Sequence, residues 1–226
     1  MKIQAIIAAA GIGQRLGSGQ AKPFAILHGK PLVLYALEVF EKCLQIDSVI
    51  VAAHAEATEK MTGVIRAAGF KKSFMVVAGG KERRHSVKNA LNHLDSDTEL
   101  VLVHDGARPF INVRFIEAMI QAAIREDALI AAVPVKPTIK RADAVNKNVV
   151  ETLDRSCLWD TQTPQIFKKD VLARAYEQAD FSATDDASLV ERLGITVRIF
   201  PGLEENIKVT TPMDLFIAEK LLERHG

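Results

Sequence analysis

Ile3-Gln4-Ala5-Ile6-Ile7-Ala8 runs without a break into Ala9-Ala10-Gly11-Ile12-Gly13-Gln14-Arg15-Leu16-Gly17, and Lys22-Pro23 stands five residues further on. A short apolar run that ends in glycines reads as a buried strand. Glycines directly after a first strand let backbone N–H groups approach an anion, because no Cβ intervenes. The spacing departs from two well-known loops. A dinucleotide loop needs a glycine where Leu16 stands and an acid about 20 residues later, and a Walker loop needs Gly-Lys-Ser or Gly-Lys-Thr. Charge marks the stretch instead: no Asp or Glu precedes Glu38, whereas Lys2, Arg15, Lys22 and Lys30 are present. Arg15 and Lys22, flanking a glycine loop at a strand's carboxyl end, suit a polyphosphate. Alone, the stretch also fits a plain tight turn.

Outward from this loop, apolar runs of strand length alternate with helical patterns, the signature of a parallel α/β sheet. Strands are expected at residues 3–8, 48–53, 74–78, 100–103 and 129–133. Helices are expected after Pro31 (Leu32, Ala36, Val39, Phe40 and Cys43 recur at helical spacing), at 56–68 ending on Gly69, at 83–94 and at 114–125. Residues 134–156 break the pattern. They are extended, rich in Lys, Arg, Val and Thr, and pivot on Asn146-Lys147-Asn148, so they read as a hairpin arm. The alternative is a surface loop, but loops beyond about 12–15 residues are uncommon without a function. Beyond the arm come two short helices, a strand at 196–200, a short strand at 207–209 and a last helix with Leu215, Ala218, Leu221 and Leu222 on one face. The fold class is therefore α/β: a Rossmann-like, mostly parallel twisted sheet flanked by helices. Residues 1–226 form one domain, with an arm at about 134–157.

The totals narrow the function. Of 226 residues, 48% are hydrophobic and 25% charged, which excludes a disordered or fibrous chain. The net charge of +1 gives no general anion-attracting field, so an anion site must come from local placement. Cys43 and Cys157 are the only cysteines; they form neither a disulfide framework nor a zinc site. The start lacks the layout of a signal peptide, and no apolar stretch approaches the ~20 residues of a membrane span. A cytoplasmic protein is expected, with no membrane and no nucleic-acid partner.

Three further stretches carry chemistry. In Val103-His104-Asp105-Gly106-Ala107-Arg108-Pro109, Asp105 falls at the end of a buried strand, where open α/β sheets collect ligands. It can hold Mg²⁺ there while Arg108 grips a phosphate; a capped turn is the plainer alternative. Lys208, in Asn206-Ile207-Lys208-Val209-Thr210, lies between apolar neighbours and could face either side of a strand. Thr184-Asp185-Asp186-Ala187 reads first as a helix N-cap with acids in the first turn, and second as a phosphate contact.

In order along almost the whole chain, these pieces resemble the sugar-phosphate nucleotidyltransferases, and within them the 2-C-methyl-D-erythritol 4-phosphate cytidylyltransferase family. The matching stretches are the first loop, Gly79-Gly80-Lys81-Glu82-Arg83, His104 to Pro109, Asp154-Arg155 with Leu158-Trp159, Thr163-Pro164-Gln165, Thr184 to Ala187 and Asn206 to Thr210. The resemblance implies that Ala9, Ala10, Gly11 and Gly13 hold CTP, with Gly80, Ser86 and Ala107 around cytosine and ribose. Arg15, Lys22 and Lys208 would stabilise charge in the reaction. Asp105 would sit beside substrate and Mg²⁺ or another divalent cation. Arg108, Thr163, Thr184 and Lys208 would position the sugar-alcohol phosphate. The arm would swap across a homodimer and bring Thr138 and Arg155 to the partner's site. Two departures are visible: Lys81 stands where relatives often carry Asp, and Ala21 where they carry Pro. Glu205 could assist the metal. Ribitol 5-phosphate cytidylyltransferases share several of these motifs, but residues 154–159 and 184–187 look more like the methylerythritol enzymes. Molybdenum-cofactor nucleotidyltransferases share the first loop but should lack the arm and the Thr163-Pro164-Gln165 segment. A non-catalytic nucleotide sensor on the same fold is a further alternative, because fold alone does not set function.

Overall fold

The structure, a computed structural model, describes residues 1–11, 13, 21–178, 180 and 183–225. Its strands, in chain order, are β1 (Lys2–Ala9), β2 (Ile26–Leu27), β3 (Lys30–Pro31), β4 (Ser48–Ala53), β5 (Ser73–Ala78), β6 (Thr98–Asp105), β7 (Ala128–Pro134), β8 (Lys140–Ala142), β9 (Val149–Thr152), β10 (Trp159–Lys168) and β11 (Arg198–Pro201). The helices are α1 (Leu32–Lys42), α2 (Thr58–Ala68), α3 (Arg83–Leu91), α4 (Val113–Ala123), α5 (Lys169–Tyr176), α6 (Ala187–Glu191) and α7 (Pro212–His225). A seven-stranded sheet has the order β11-β7-β10-β6-β1-β4-β5 and is parallel except for β10, which runs antiparallel to both neighbours. The α/β, mostly parallel sheet expected from the sequence is what the chain forms.

The period-2 alternation of β1 decides how the layers assemble. Ile3, Ala5 and Ile7 face a core shared with Leu37 and Phe40 of α1, Met61 of α2, and Phe115, Ile116 and Met119 of α4. Ile6 faces the other way, onto a core with Val87 and Ala90 of α3, Val171 and Leu172 of α5, and Leu189 of α6. Both faces of the sheet are covered, so its strands are apolar almost throughout. A third cluster packs Ala218 of α7 onto Leu27, Leu32, Ala107 and Val209.

Three elements differ from the sequence expectation. β10 is absent from it, because Thr161-Gln162-Thr163-Pro164-Gln165 is polar and a proline argues against a central strand. The structure accommodates it with a register shift between Thr161 and Gln165, which interrupts the ladder to β7 where Pro164 lacks a donor. Residues 207–209 form no strand. The Val209 N–H donates to the Ala107 carbonyl at 2.9 Å, which ties this segment to the body. β2 and β3 pair across His28-Gly29, whose φ angles of 45° and 75° suit a two-residue hairpin turn. In the region read as an arm, β8 and β9 pair only with each other among the described residues, and Lys147 carries a φ of 58° at the expected pivot. Among the described residues no helix is long and apolar enough to cross a membrane.

Phe40 is fully buried, and its ring centroid lies 5.5 Å from that of His104, so α1 seats the segment that bears Asp105. Phe40→Ala is expected to cost about 3–5 kcal/mol of stability. Urea unfolding checks this, and a shift below about 1 kcal/mol would contradict the packing described.

Candidate active site

Parallel pairing aligns the carboxyl ends of β1, β4, β5 and β6. Ala8 sits opposite Asp105 and Ala9 opposite Ala53, while Ala53 is level with Ala78. The loops that follow these residues therefore share one edge of the sheet, where open α/β folds bind ligands. They enclose a cleft of about 650 Å³. Backbone of residues 8–11 and Gly13 floors it. Lys22 and Pro23 stand on one side, Gly80 and Ser86 on another, and Asp105, Ala107 and Lys208 close it.

Close backbone approach shapes the cleft. A Cβ on Gly79 would lie 2.5 Å from the Ala10 Cβ, so the loop after β5 presses on the residue after β1 only because that position is glycine. A Cβ on Gly80 would lie 2.3 Å from the His85 Cβ, so Gly80 allows α3 to pack against the same loop. Gly80 N–H donates to Ser86 Oγ at 3.1 Å, and Ser86 Oγ donates to the Glu82 carbonyl at 3.1 Å, which fixes the start of α3. Gly13 has a φ of 69° and packs on Lys22, whose N would lie 2.9 Å from an added Cβ.

Charge is concentrated at Asp105. Arg83 Nε donates to Asp105 Oδ1 at 2.7 Å, and Lys208 Nζ approaches Asp105 Oδ2 at 2.6 Å. A second nitrogen of Arg83, Nη2, donates to Asp186 Oδ2 at 2.8 Å, and Tyr176 Oη donates to the other oxygen of Asp186. Burial alone would raise the Asp105 pKa. The charges of Arg83 and Lys208 outweigh it and hold the carboxyl well below the usual carboxylate range.

A neutral chain of hydrogen bonds sets the backbone beneath. Asp105 N–H donates to Thr163 Oγ1 at 3.0 Å, and Thr163 Oγ1 lies 3.1 Å from His104 Nδ1. His104 Nε2 lies 3.2 Å from the Arg108 carbonyl, which can only accept, so the partners assign the proton to Nε2. His104 is fully buried, and burial lowers its pKa to about 4, against the opposing pull of Asp105.

The donor set for a divalent cation is narrow. Among the described residues no group of three or more His, Cys, Asp and Glu comes together. Two carboxylates, Glu82 and Asp105, are among the residues that line the cleft, and both oxygens of Asp105 already meet cations. Mg²⁺ binds through one or two carboxylates plus substrate phosphates and water. The residues therefore fit a cation that arrives with a triphosphate and not one caged by protein.

The family model described as IspD, 2-C-methyl-D-erythritol 4-phosphate cytidylyltransferase, matches residues 3–224. The chain belongs to this cytidylyltransferase family. It is 48% identical over 227 residues to the 2-C-methyl-D-erythritol 4-phosphate cytidylyltransferase of Alkaliphilus metalliredigens, covering 99% of this chain and 94% of that protein. Among solved structures it is similar to 4-diphosphocytidyl-2C-methyl-D-erythritol synthase from Anaerococcus prevotii, with a TM-score of 0.87, 30% identity and 99% of each chain covered. It is also similar to the 2-C-methyl-D-erythritol 4-phosphate cytidylyltransferase of Thermus thermophilus, with a TM-score of 0.81, 29% identity, and 99% and 100% of the two chains covered.

In this cytidylyltransferase, Ala9, Ala10, Gly11, Gly13 and Lys22 line the cleft from the amino-terminal side. Gly80, Ser86, Asp105, Ala107 and Lys208 line it from the others. Arg15 lies outside the described residues. Thr163, expected among the substrate contacts, is buried, turns its hydroxyl to Asp105 and His104, and is not among the residues that line the cleft. Arg108, expected to grip a phosphate, directs Nη1 to the Asn206 carbonyl at 2.6 Å and Nη2 to the Thr161 carbonyl at 3.3 Å, while its buried Nε has no partner among the described residues. Thr184 is exposed, two residues before the buried Asp186. Thr138 and Arg155 are exposed at the base of the arm, where Arg155 Nη1 donates to the Lys136 carbonyl at 2.8 Å.

The sequence pattern alone assigns no role to Arg83, and to Asp186 only that of an acid in a helix's first turn. A signal is nonetheless present: Arg83 opens α3, where the helix dipole disfavours a cation. An arginine there needs carboxylates, and Asp105 and Asp186 supply them.

Folding keeps His104 neutral. As pH falls from about 6.5 towards about 4, the unfolded chain gains a proton that the folded chain does not. Stability is therefore present above this window and is lost as pH falls through it, by about 3 kcal/mol at most at ~1.4 kcal/mol per pH unit. Urea unfolding from pH 4 to 7 should show a steeper slope in the native protein than in His104→Gln; equal slopes would contradict the assignment.

Proposed function

We propose that the enzyme transfers CMP from CTP to the phosphate of 2-C-methyl-D-erythritol 4-phosphate, releasing pyrophosphate and giving 4-diphosphocytidyl-2-C-methyl-D-erythritol for the non-mevalonate isoprenoid pathway. Family membership over residues 3–224 supports the chemistry. The observation in the fold that carries it is the cleft that joins an anion-cradling loop, Lys22 and Lys208 at one sheet edge. In the reaction a phosphate oxygen of the acceptor bonds to the α-phosphorus of CTP, the α–β bridging P–O bond breaks, and its electron pair leaves with pyrophosphate. The attacking phosphate is already largely ionised at neutral pH, since its second pKa is about 6, so no general base is required. The task left to the protein is alignment of two anions and cancellation of their charge.

Backbone N–H groups of Ala9, Ala10, Gly11 and Gly13 would hold the triphosphate, with Gly80, Ser86 and Ala107 around cytosine and ribose. Arg15, Lys22 and Lys208 would neutralise the charge that builds on the α-phosphate. Mg²⁺, held by Asp105 together with triphosphate oxygens, would supply further charge neutralisation when bound. Arg108 and Thr184 would serve the acceptor phosphate, and Arg108 also fixes the Asn206 carbonyl two residues before Lys208. Thr163 would act through Asp105. In a homodimer built on the arm, Thr138 and Arg155 would complete the partner's site. The whole of residues 1–226 would act as one nucleotidyltransferase unit in the cytoplasm.

Pyrophosphate release with Mg²⁺ is expected from CTP and 2-C-methyl-D-erythritol 4-phosphate, and not from ribitol 5-phosphate or from ATP, GTP or UTP. Release with ribitol 5-phosphate instead would overturn the acceptor assignment. Lys22→Ala and Lys208→Ala should each lower turnover by roughly 10²–10³-fold at saturating substrate; near-normal rates in either would contradict these roles.

A further inference from the structure

Lys208 enters the cleft on a flexible four-carbon stem, and its side chain remains 39% exposed. A flexible lysine of this kind takes one position only if something clamps its ammonium. Asp105 is the clamp, and Asp105 is itself clamped by Arg83 on its other oxygen. The guanidinium is a rigid planar fork. Its Nε and Nη2 meet two different carboxylates, and the far one, Asp186, is fully buried and capped by Tyr176.

We infer that Arg83 is a positioning residue: through one guanidinium bound to Asp105 and Asp186 it sets the direction of Asp105 and, through Asp105, the place of Lys208. It rests on the transferase reading above, since Lys208 acts there on the reacting phosphates. Arg83 also ties together pieces that are far apart in sequence. It opens the helix that follows Gly80 and carries Ser86, and it reaches the residue that precedes α6, two positions after Thr184. The nucleotide side and the acceptor side of the cleft thus share one bridge, whose carboxylate ends are buried. The charges balance, two cations against two carboxylates. Removing Arg83 leaves Asp105 with Lys208 alone and Asp186 with the Tyr176 hydroxyl, an excess of negative charge beside a cleft that must admit anions. Arg83→Lys keeps the charge but replaces the fork with a single nitrogen, which cannot hold both carboxylates in their present geometry.

The test compares native enzyme, Arg83→Lys, Lys208→Ala and the double variant. Turnover and KM are read by pyrophosphate release, folding by thermal unfolding, and the order of the Lys208 ammonium by ¹⁵N relaxation. Arg83→Lys is expected to fold and to lose about 10–100-fold in kcat, the scale of an ångström-sized misplacement, with KM for CTP changed less than about fivefold. Because Arg83 acts through Lys208, the double variant should fall within about threefold of Lys208→Ala alone. The Lys208 ammonium should be restrained in the native enzyme and freed in Arg83→Lys. Losses that multiply in the double variant, kcat within about threefold of native in Arg83→Lys, or an ammonium equally ordered in both proteins would each overturn the inference. If Arg83→Lys does not fold, Asp186→Asn loosens the far end of the bridge and should lower kcat about 3–10-fold with the same non-additivity towards Lys208→Ala; a native rate or multiplying losses would overturn the inference. A native enzyme inactive with every substrate pair would overturn the proposed function, and the ammonium relaxation would still decide the role of Arg83.

Discussion

Everything at the cleft turns on one carboxylate held between two cations. Asp105 stands at the last position of a buried central strand, with Arg83 on one oxygen and Lys208 on the other. Taking these charges out of water is costly, and only good geometry with further hydrogen bonds offsets it. The fold supplies that geometry through the parallel register of β1 with β6, which puts Asp105 beside Ala8, and through Thr163, which fixes the Asp105 N–H. A buried pair of this kind is weak evidence for stability. Its evident consequence is a fixed direction for groups that face the cleft.

The antiparallel strand β10 has a part in this. It lies between β6 and β7, and the polar run that makes it an unusual central strand reaches towards the site from below. Gln165 Nε2 donates to Asp185 Oδ2 at 2.8 Å, and its Oε1 accepts the Ala187 N–H at 3.2 Å, so this strand also seats the start of α6 and hence Asp186. Gln162 and Asn206 join the same strand to the segment that leads into Lys208. The buried polar side chains of β10 thus find their partners on the segments around them, as buried polar groups must.

The regular half of the molecule is legible in the sequence because apolar periodicity and glycine punctuation agree there. β4 has the bounds its apolar run suggests, and α2 ends at the Gly69 that marks it. Where the reading fails, tertiary context overrides a local rule. Pro164 and its polar neighbours hide β10, while Ile207 and Val209 suggest a strand although no described strand pairs with them. In the cleft, the glycine loop, Lys22, Asp105 and Lys208 stand out by residue type and order, and the structure brings them together. Thr163 and Arg108 cannot be resolved that way, because motif membership does not reveal which way a side chain points. Arg83 escapes notice because its importance lies in two carboxylates, 22 and 103 positions away along the chain.

The most direct test is a crystal structure of the complex with CTP and Mg²⁺. The triphosphate is expected against the backbone of residues 9–13 and the Lys22 ammonium, with cytosine beside Gly80 and Ser86 and Asp105 still gripped by Arg83. A nucleotide seated away from this cleft, or an Asp105 released from Arg83 when CTP binds, would contradict the central claim.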